Sequence, residues 1–144
     1  MSHRAQQIVD QVVSLLETAT GIPSHVQQTL TLGAEDNELP AYAVMVGAED
    51  AEAMDFKSIG SALSLSIVAY AQGDTGKDTL YTLIDMRRQV HIALMANPTL
   101  GLSFVWGTQY GGVEAPETVT AARVNMRQAA TWVVHYSMNI TDPT

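Results

Sequence analysis

The chain has 144 residues, 47% of them hydrophobic and 15% charged, with a formal net charge of −8. That is the length of one domain, able to bury about 70% of the surface its unfolded form exposes, and the composition excludes disorder of the whole chain. Seven Lys and Arg against fifteen Asp and Glu exclude a phosphate-neutralising DNA surface, and the lack of cysteine excludes disulfides, thiolate catalysis and Cys-ligated metals.

At the N-terminus, "MSHRAQQIVDQVVSLLETA" breaks its apolar residues with polar ones every few positions, as neither a signal-peptide core nor a membrane span does. The expectation is a soluble protein, with no membrane partner and no export by that route. Ile8, Val12, Leu15, Leu16 and Ala19 recur at spacings of three and four, which predicts an amphipathic helix ended by Gly21 and Pro23. Val26, Leu30 and Leu32 share a parity and predict a strand over 25–32, followed by a turn-rich "GAEDNELP".

Residues 40–46, "PAYAVMV", predict a short buried strand, and the acidic "GAEDAEAMD" after it reads as a loop. Next, "SALSLSIVAYAQ" at 61–72 alternates cleanly and predicts a strand that begins as early as Ile59. Leu63, Leu65, Ile67 and Ala69 fall on one side of it, and Ala62, Ser64, Ser66, Val68 and Tyr70 on the other. The second side carries no charge, although a strand face open to water normally holds Lys, Glu or Thr, so something is expected to cover it. Loops, water and another copy of the chain are the available covers.

"GDTGKD" closes that strand as an exposed turn holding Asp74, Lys77 and Asp78. Leu80, Leu83, Ile84, Arg87, Val90, His91 and Leu94 trace one face of a helix over 79–95, which "ANP" stops. Leu100, Leu102, Phe104 and Trp106 alternate as a strand that frays into the loop "GTQYGGVEAPET" with Gln109 and Tyr110. Residues 118–127 fit helix and strand alike, and the strand reading is adopted. "AATWVVHYSMNI" closes the chain as a strand, with His135 on its neutral face. Two helices and about five strands make an α+β fold, a mixed, largely antiparallel sheet with both helices on one face, in a single domain spanning 1–144.

No motif for chemistry emerges. "GDTGKDT" lacks the first glycine of a phosphate loop and has Asp where Ser or Thr follows the lysine. His3, His25, His91 and His135 form no ligand set, and no serine sits in a nucleophile-elbow setting, so no catalytic residue, metal or cofactor is assigned. Seven acids, Glu35, Asp36, Glu38, Glu49, Asp50, Glu52 and Asp55, cluster on the two segments flanking the 40–46 strand; they read as a solvated acidic surface, or as a patch that faces a basic partner or repels DNA. Arg87 and Arg88 follow Asp85, and Arg87 on the apolar stripe predicts a structural ion pair.

Taken in order, "LPAYAVMVGAED", "SALSLSIVAYAQGDTGKDTL", "ANPTLG" and "ATWVVHYSMN", behind an N-terminal amphipathic helix, resemble the tail terminator (tail completion) proteins of long-tailed bacteriophages, lambda type. The resemblance spans nearly the whole chain and fits least over 107–127. It implies a non-enzymatic structural protein of the virion, assembled in the host cytoplasm and placed at the head-tail junction. There it would form a homo-hexameric ring that caps the head-proximal end of the tail tube, stops polymerisation of the tube protein and presents a docking surface to the head connector protein. Genome DNA would pass through the ring without specific binding, and an acidic lumen, formed by the 35–38 or the 49–55 segment, would repel it. Ser64, Ser66, Tyr70, Asp74, Lys77, Asp78, Arg87, Arg88, Gln109, Tyr110 and His135 are the candidate contacts with neighbouring subunits or partners. Lys57, Arg87, Arg88, Arg123 and Arg127 are the bases available to a neighbour's acids. Two readings stand beside this one: another connector or tail-tube module, and a small-ligand-binding enzyme domain with Asp85 and His91 titrating in a pocket between helix and sheet.

Overall fold

The computed structural model describes residues 3–26, 40–55, 57–120, 124–139 and 141–144. Its elements are α1 (Arg4–Thr20), β1 (Ser24–Val26), β2 (Ala41–Ala53), β3 (Ser58–Gly73), α2 (Gly76–Ala96), β4 (Val105–Val113), β5 (Glu117–Thr120) and β6 (Val124–Asn139). The expected α+β architecture stands: one mixed sheet in the order β1-β2-β3-β6-β4, with β5 also on β6. Among the described residues, only β1 with β2 is parallel, and the other pairings are antiparallel. β5 pairs with 125–127 and β4 with 130–136, so the two lie in succession along the edge of β6 away from β3.

The alternation in β3 sorts its residues as the pattern requires. Leu63, Leu65, Ile67 and Ala69 point into a core completed by Ile8, Val12 and Leu16 of α1, Leu83, Met86, Val90 and Leu94 of α2, and Trp132, Val134 and Tyr136 of β6. Both helices cover that face. α1 opens with His3, whose Nδ1 accepts from Ala5 N–H at 2.9 Å, and closes on Gly21 at φ 70, where only a residue without Cβ is unstrained.

The guanidinium of Arg4 ties the start of α1 to the far end of the chain. It donates to the carbonyls of Ser137 at 2.6 Å and Thr144 at 3.1 Å and lies 4.8 Å from the Phe104 ring centroid. Arg4→Ala is expected to cost about 1–2 kcal/mol, through lost charge-assisted hydrogen bonds and stem packing, read as a lower denaturation midpoint. At α2, the Thr75 hydroxyl accepts from Asp78 N–H at 3.1 Å. Replacing Thr75 by Ala is expected to cost about 1 kcal/mol on the same scale, whereas Gly at that position costs only a few tenths.

Three expectations are corrected. The acidic "GAEDAEAMD" is not a loop: β2 runs through it to Ala53, with Glu49 opposite Leu63 and Glu52 opposite Gly60, after a bulge between Val46 and Glu49. The poor strand propensity of Glu, Asp and Ala is overridden by the partner strand, whose 16 residues offer a full ladder. Residues 100–104 are turns, not strand: Leu100 sits at φ 55 and its N–H donates to Asn97 carbonyl at 2.8 Å, so the alternation there is coincidental. "GTQYGGVEAPET" in turn holds β4 and β5, where the glycines mark bulges between Val105 and Gly107 and between Tyr110 and Gly112. Strand over 118–127 is right for 118–120 and 124–127. Of the 25–32 strand, 25–26 lie in β1 and the rest falls outside the described residues.

Candidate functional site

The opposite face of the sheet is the surface the sequence singled out. Its middle is a plane of small, uncharged side chains: Ala62, Ser64 and Ser66 of β3 stand opposite His135, Val133 and Thr131 of β6, and all six are half-buried. The next residues on β3, Val68 and Tyr70, are buried in a separate cluster with Ala43, flanked by Met45 and Ala129. Glu114, Ala115, Glu117 and Arg127 border the small cavity over Val68. The chain's own β4–β5 segment thus covers one end of the neutral face, and Tyr70, at 6% exposure, belongs to that covered end and not to the open plane. Arg127 clamps the segment through Glu117 at 2.6 Å, and that bond, ahead of any other influence, raises the guanidinium's pKa further.

Beyond His135 the neutral plane meets an acidic arm. β2 and β3 extend as a hairpin, and strand alternation puts Asp50 and Glu52 on the same side as Ala62 and Gly60. Together with Met54 and the half-exposed Trp106, they border a groove of about 710 Å³. Glu49 points the other way, toward the helices, and accepts the hydroxyl of Tyr136. Burial pushes the Tyr136 phenol up first, and the adjacent Glu49 charge adds to it. Asp55 sits in the hairpin turn, accepting from Lys57 N–H at 2.7 Å and Ser58 N–H at 2.8 Å. The acids of 49–55 therefore divide: Glu49 and Asp55 serve the fold, while Asp50 and Glu52 face outward. Glu35, Asp36, Glu38 and Arg123 lie outside the described residues.

Other sequence candidates are dispersed. Gln109 and Tyr110 sit on β4 and not in a loop, and they face opposite ways: Gln109 Oε1 is 3.3 Å from His135 Nε2, whereas the Tyr110 ring packs 5.0 Å from Trp132 and 5.5 Å from His91. Asp74 is an exposed turn residue, and Lys77 and Asp78 lie in the first turn of α2, with Lys77 Nζ 5.6 Å from the Tyr81 ring. The predicted ion pair of Arg87 is corrected: Asp85 bonds Arg88 at 3.2 Å and Gln89 at 2.7 Å. Spacings of three and four bring those side chains together on the helix surface, while Arg87, two residues on, faces elsewhere. Hydrogen bonds from Gln89, then Arg88, hold the Asp85 carboxyl below the usual range.

Among the described residues, no pocket holds Asp85 and His91 together. Asp85 is exposed with its own partners, His91 packs tilted against Trp132 at 5.4 Å and lines only the open groove beside Tyr110, and the cavity lined by Tyr42, Arg87, Val90 and Gln128 between α2 and the sheet is about 10 Å³. A single water fills such a volume. Among the described residues, no cluster of three or more His, Asp or Glu is placed to hold a metal ion, and no helix is long and apolar enough to cross a membrane.

One feature of α2 has no counterpart in the expectations. Tyr81, Ile84, Ile92 and Met95 are exposed by 58%, 40%, 53% and 37%. The sequence pattern placed Ile84 on the core stripe; its exposure and the burial of Met86 shift that stripe around the helix.

No known family and no curated protein matches the chain. Among solved structures, one chain from "Virion of native gene transfer agent (GTA) particle" is similar at 13% identity and a TM-score of 0.46, over 90% of this chain and 91% of that one. A likeness at that distance assigns this chain no role.

Proposed function

We propose that this chain is a non-enzymatic structural protein of a phage-like particle, working as the tail terminator: a homo-hexameric ring at the head-tail junction that caps the tail tube and receives the head connector. The observation that supports it is the half-buried, uncharged plane of Ala62, Ser64, Ser66, Thr131 and Val133, set in a chain of net charge −8. Small neutral side chains on a sheet face admit close approach of another protein layer, while a face meant for water has no reason to be kept free of charge. The sequence resemblance supplies the ring and its position in the tail.

Six copies carry a formal charge of about −48 in total, which discourages phosphate from binding as DNA passes, within a screening length of ~8 Å. Native mass spectrometry and negative-stain microscopy of the purified chain, alone and with tail tubes of the same particle, test the reading. A hexamer, or tubes capped at one end and halted in growth, is the expected result. A monomer at high micromolar concentration that leaves tube growth unchanged would overturn it.

A further inference from the structure

The described structure leaves two faces of the chain unpartnered, and their chemistries match. The first is the outer side of α2. Its core stripe is Leu83, Met86, Val90 and Leu94, while Tyr81, Ile84, Arg88, Ile92 and Met95, spaced three, four, four and three apart, fall about half a turn away. A helix apolar on two opposite sides is one that packs between two layers. Arg88 stands within this second stripe, and Arg87 borders the groove of about 410 Å³ that Ile84, Ile92 and Tyr110 line beside it.

The second is the neutral sheet plane with the acidic arm at its end. Ser64, Ser66, Thr131 and Val133 give a shallow surface on which a helix can lie, and Asp50 and Glu52 supply negative charge at one rim. We infer that the outer stripe of α2 of one copy seats on the neutral sheet face of the next, with Arg87 and Arg88 against Asp50 and Glu52. The occupant is a second copy because one chain carries both complementary halves: an apolar stripe with one cation within it and a second at its edge, and carboxylates beside an uncharged plane. Such a contact joins unlike surfaces, so repetition either closes a ring or runs on as a filament. This inference rests on the ring reading above and names the surfaces that would build it. Each subunit's sheet would gain a cover that its own described residues do not give it, and each α2 would be sandwiched between its own sheet and its neighbour's.

Charge exchange tests it. Two variants of the full chain are made, D50R/E52R and R87E/R88E, each checked by circular dichroism for a native melting profile. By native mass spectrometry each alone is expected to lose assembly by at least about tenfold, because like charges then face each other. An equimolar mixture is expected to restore hexamers holding equal numbers of both variants in alternation. If both variants assemble as the natural chain does, or if the mixture fails where each alone failed, the contact is overturned while the ring reading stands. If the natural chain forms no ring alone or on tubes, the ring reading falls and takes the contact with it.

The cysteine-free sequence allows a second measurement that needs no charge reversal. Glu52→Cys and Arg88→Cys chains, mixed and oxidised, are expected to give the mixed disulfide dimer in excess over either homodimer. Homodimers alone, or no cross-link, in preparations that form rings would overturn the contact.

Discussion

Trp132→Ala is expected to lower the unfolding free energy by about 3–5 kcal/mol. The indole is 1% exposed at the centre of β6, and its ring packs 5.0 Å from Tyr110 and 5.4 Å from His91, so it fastens both α2 and the edge strand β4 to the middle of the sheet. Truncation leaves a cavity that three elements cannot close together. Trp132→Phe keeps most of the aromatic surface and removes an Nε1–H that has no partner among the described residues, so it is expected to cost less than about 1.5 kcal/mol. Trp106, 52% exposed, serves as the control, and its replacement by Ala is expected to cost under about 1 kcal/mol. Urea unfolding followed by far-ultraviolet circular dichroism separates the three; a loss below about 1 kcal/mol for Trp132→Ala would show that the indole does not hold these elements together.

Alkali is expected to destabilise the fold steeply. Tyr42 and Tyr136 are both fully buried. The Tyr42 hydroxyl donates to the Met86 carbonyl at 2.8 Å, and that of Tyr136 donates to Glu49. Burial first, then the Asp85 charge for Tyr42 and the Glu49 bond and charge for Tyr136, raise both phenols above the usual tyrosine value. A group whose pKa is raised on folding stabilises the native state below its unfolded pKa, and that stability is lost as pH climbs toward the folded value. With unfolded tyrosines titrating near ~10, the two groups together are expected to remove about 3 kcal/mol between roughly pH 8 and pH 11. Urea midpoints across that interval measure the loss. The Tyr42→Phe/Tyr136→Phe chain, less stable at neutral pH, is expected to show a clearly flatter decline; an equally steep one would assign the alkaline loss to other groups.

Local pattern carried much of the architecture. The period-two alternation of 61–72 and the three-and-four spacing in both helices reflect burial on one side of a regular element, which the sequence records directly. The corrected segments are those where a distant partner decided. Glu49, Asp50 and Glu52 have poor strand propensity, and they are strand because β3 lies alongside, a fact written in another part of the chain. Leu100 is fully buried, yet it enters the core from a turn at positive φ, so its apolar character reported burial and not geometry. Asn97, Pro98 and Gly101 around it were the available turn signal.

For the surface, the neutral plane is legible in the alternation of "SALSLSIVAYAQ" itself. What covers its far end is not, because the 114–117 segment reaches Val68 only through its position beside β6. The Glu49–Tyr136 bond joins residues 87 positions apart, and the Arg4 bonds span 133 and 140, separations at which no spacing rule operates. The second stripe of α2 was present as residues but unreadable as a surface until Met86 claimed the core side and left Ile84 outside.

Among the described residues, the stretch of β2 from Gly47 to Ala53 has β3 as its one strand partner, and no other described strand lies along its second edge. Three carboxylates in four residues guard that edge, on alternating sides, so an incoming copy of the same strand would crowd like charges into register. Growth by backbone annexation, which has no natural stopping point, is thereby penalised.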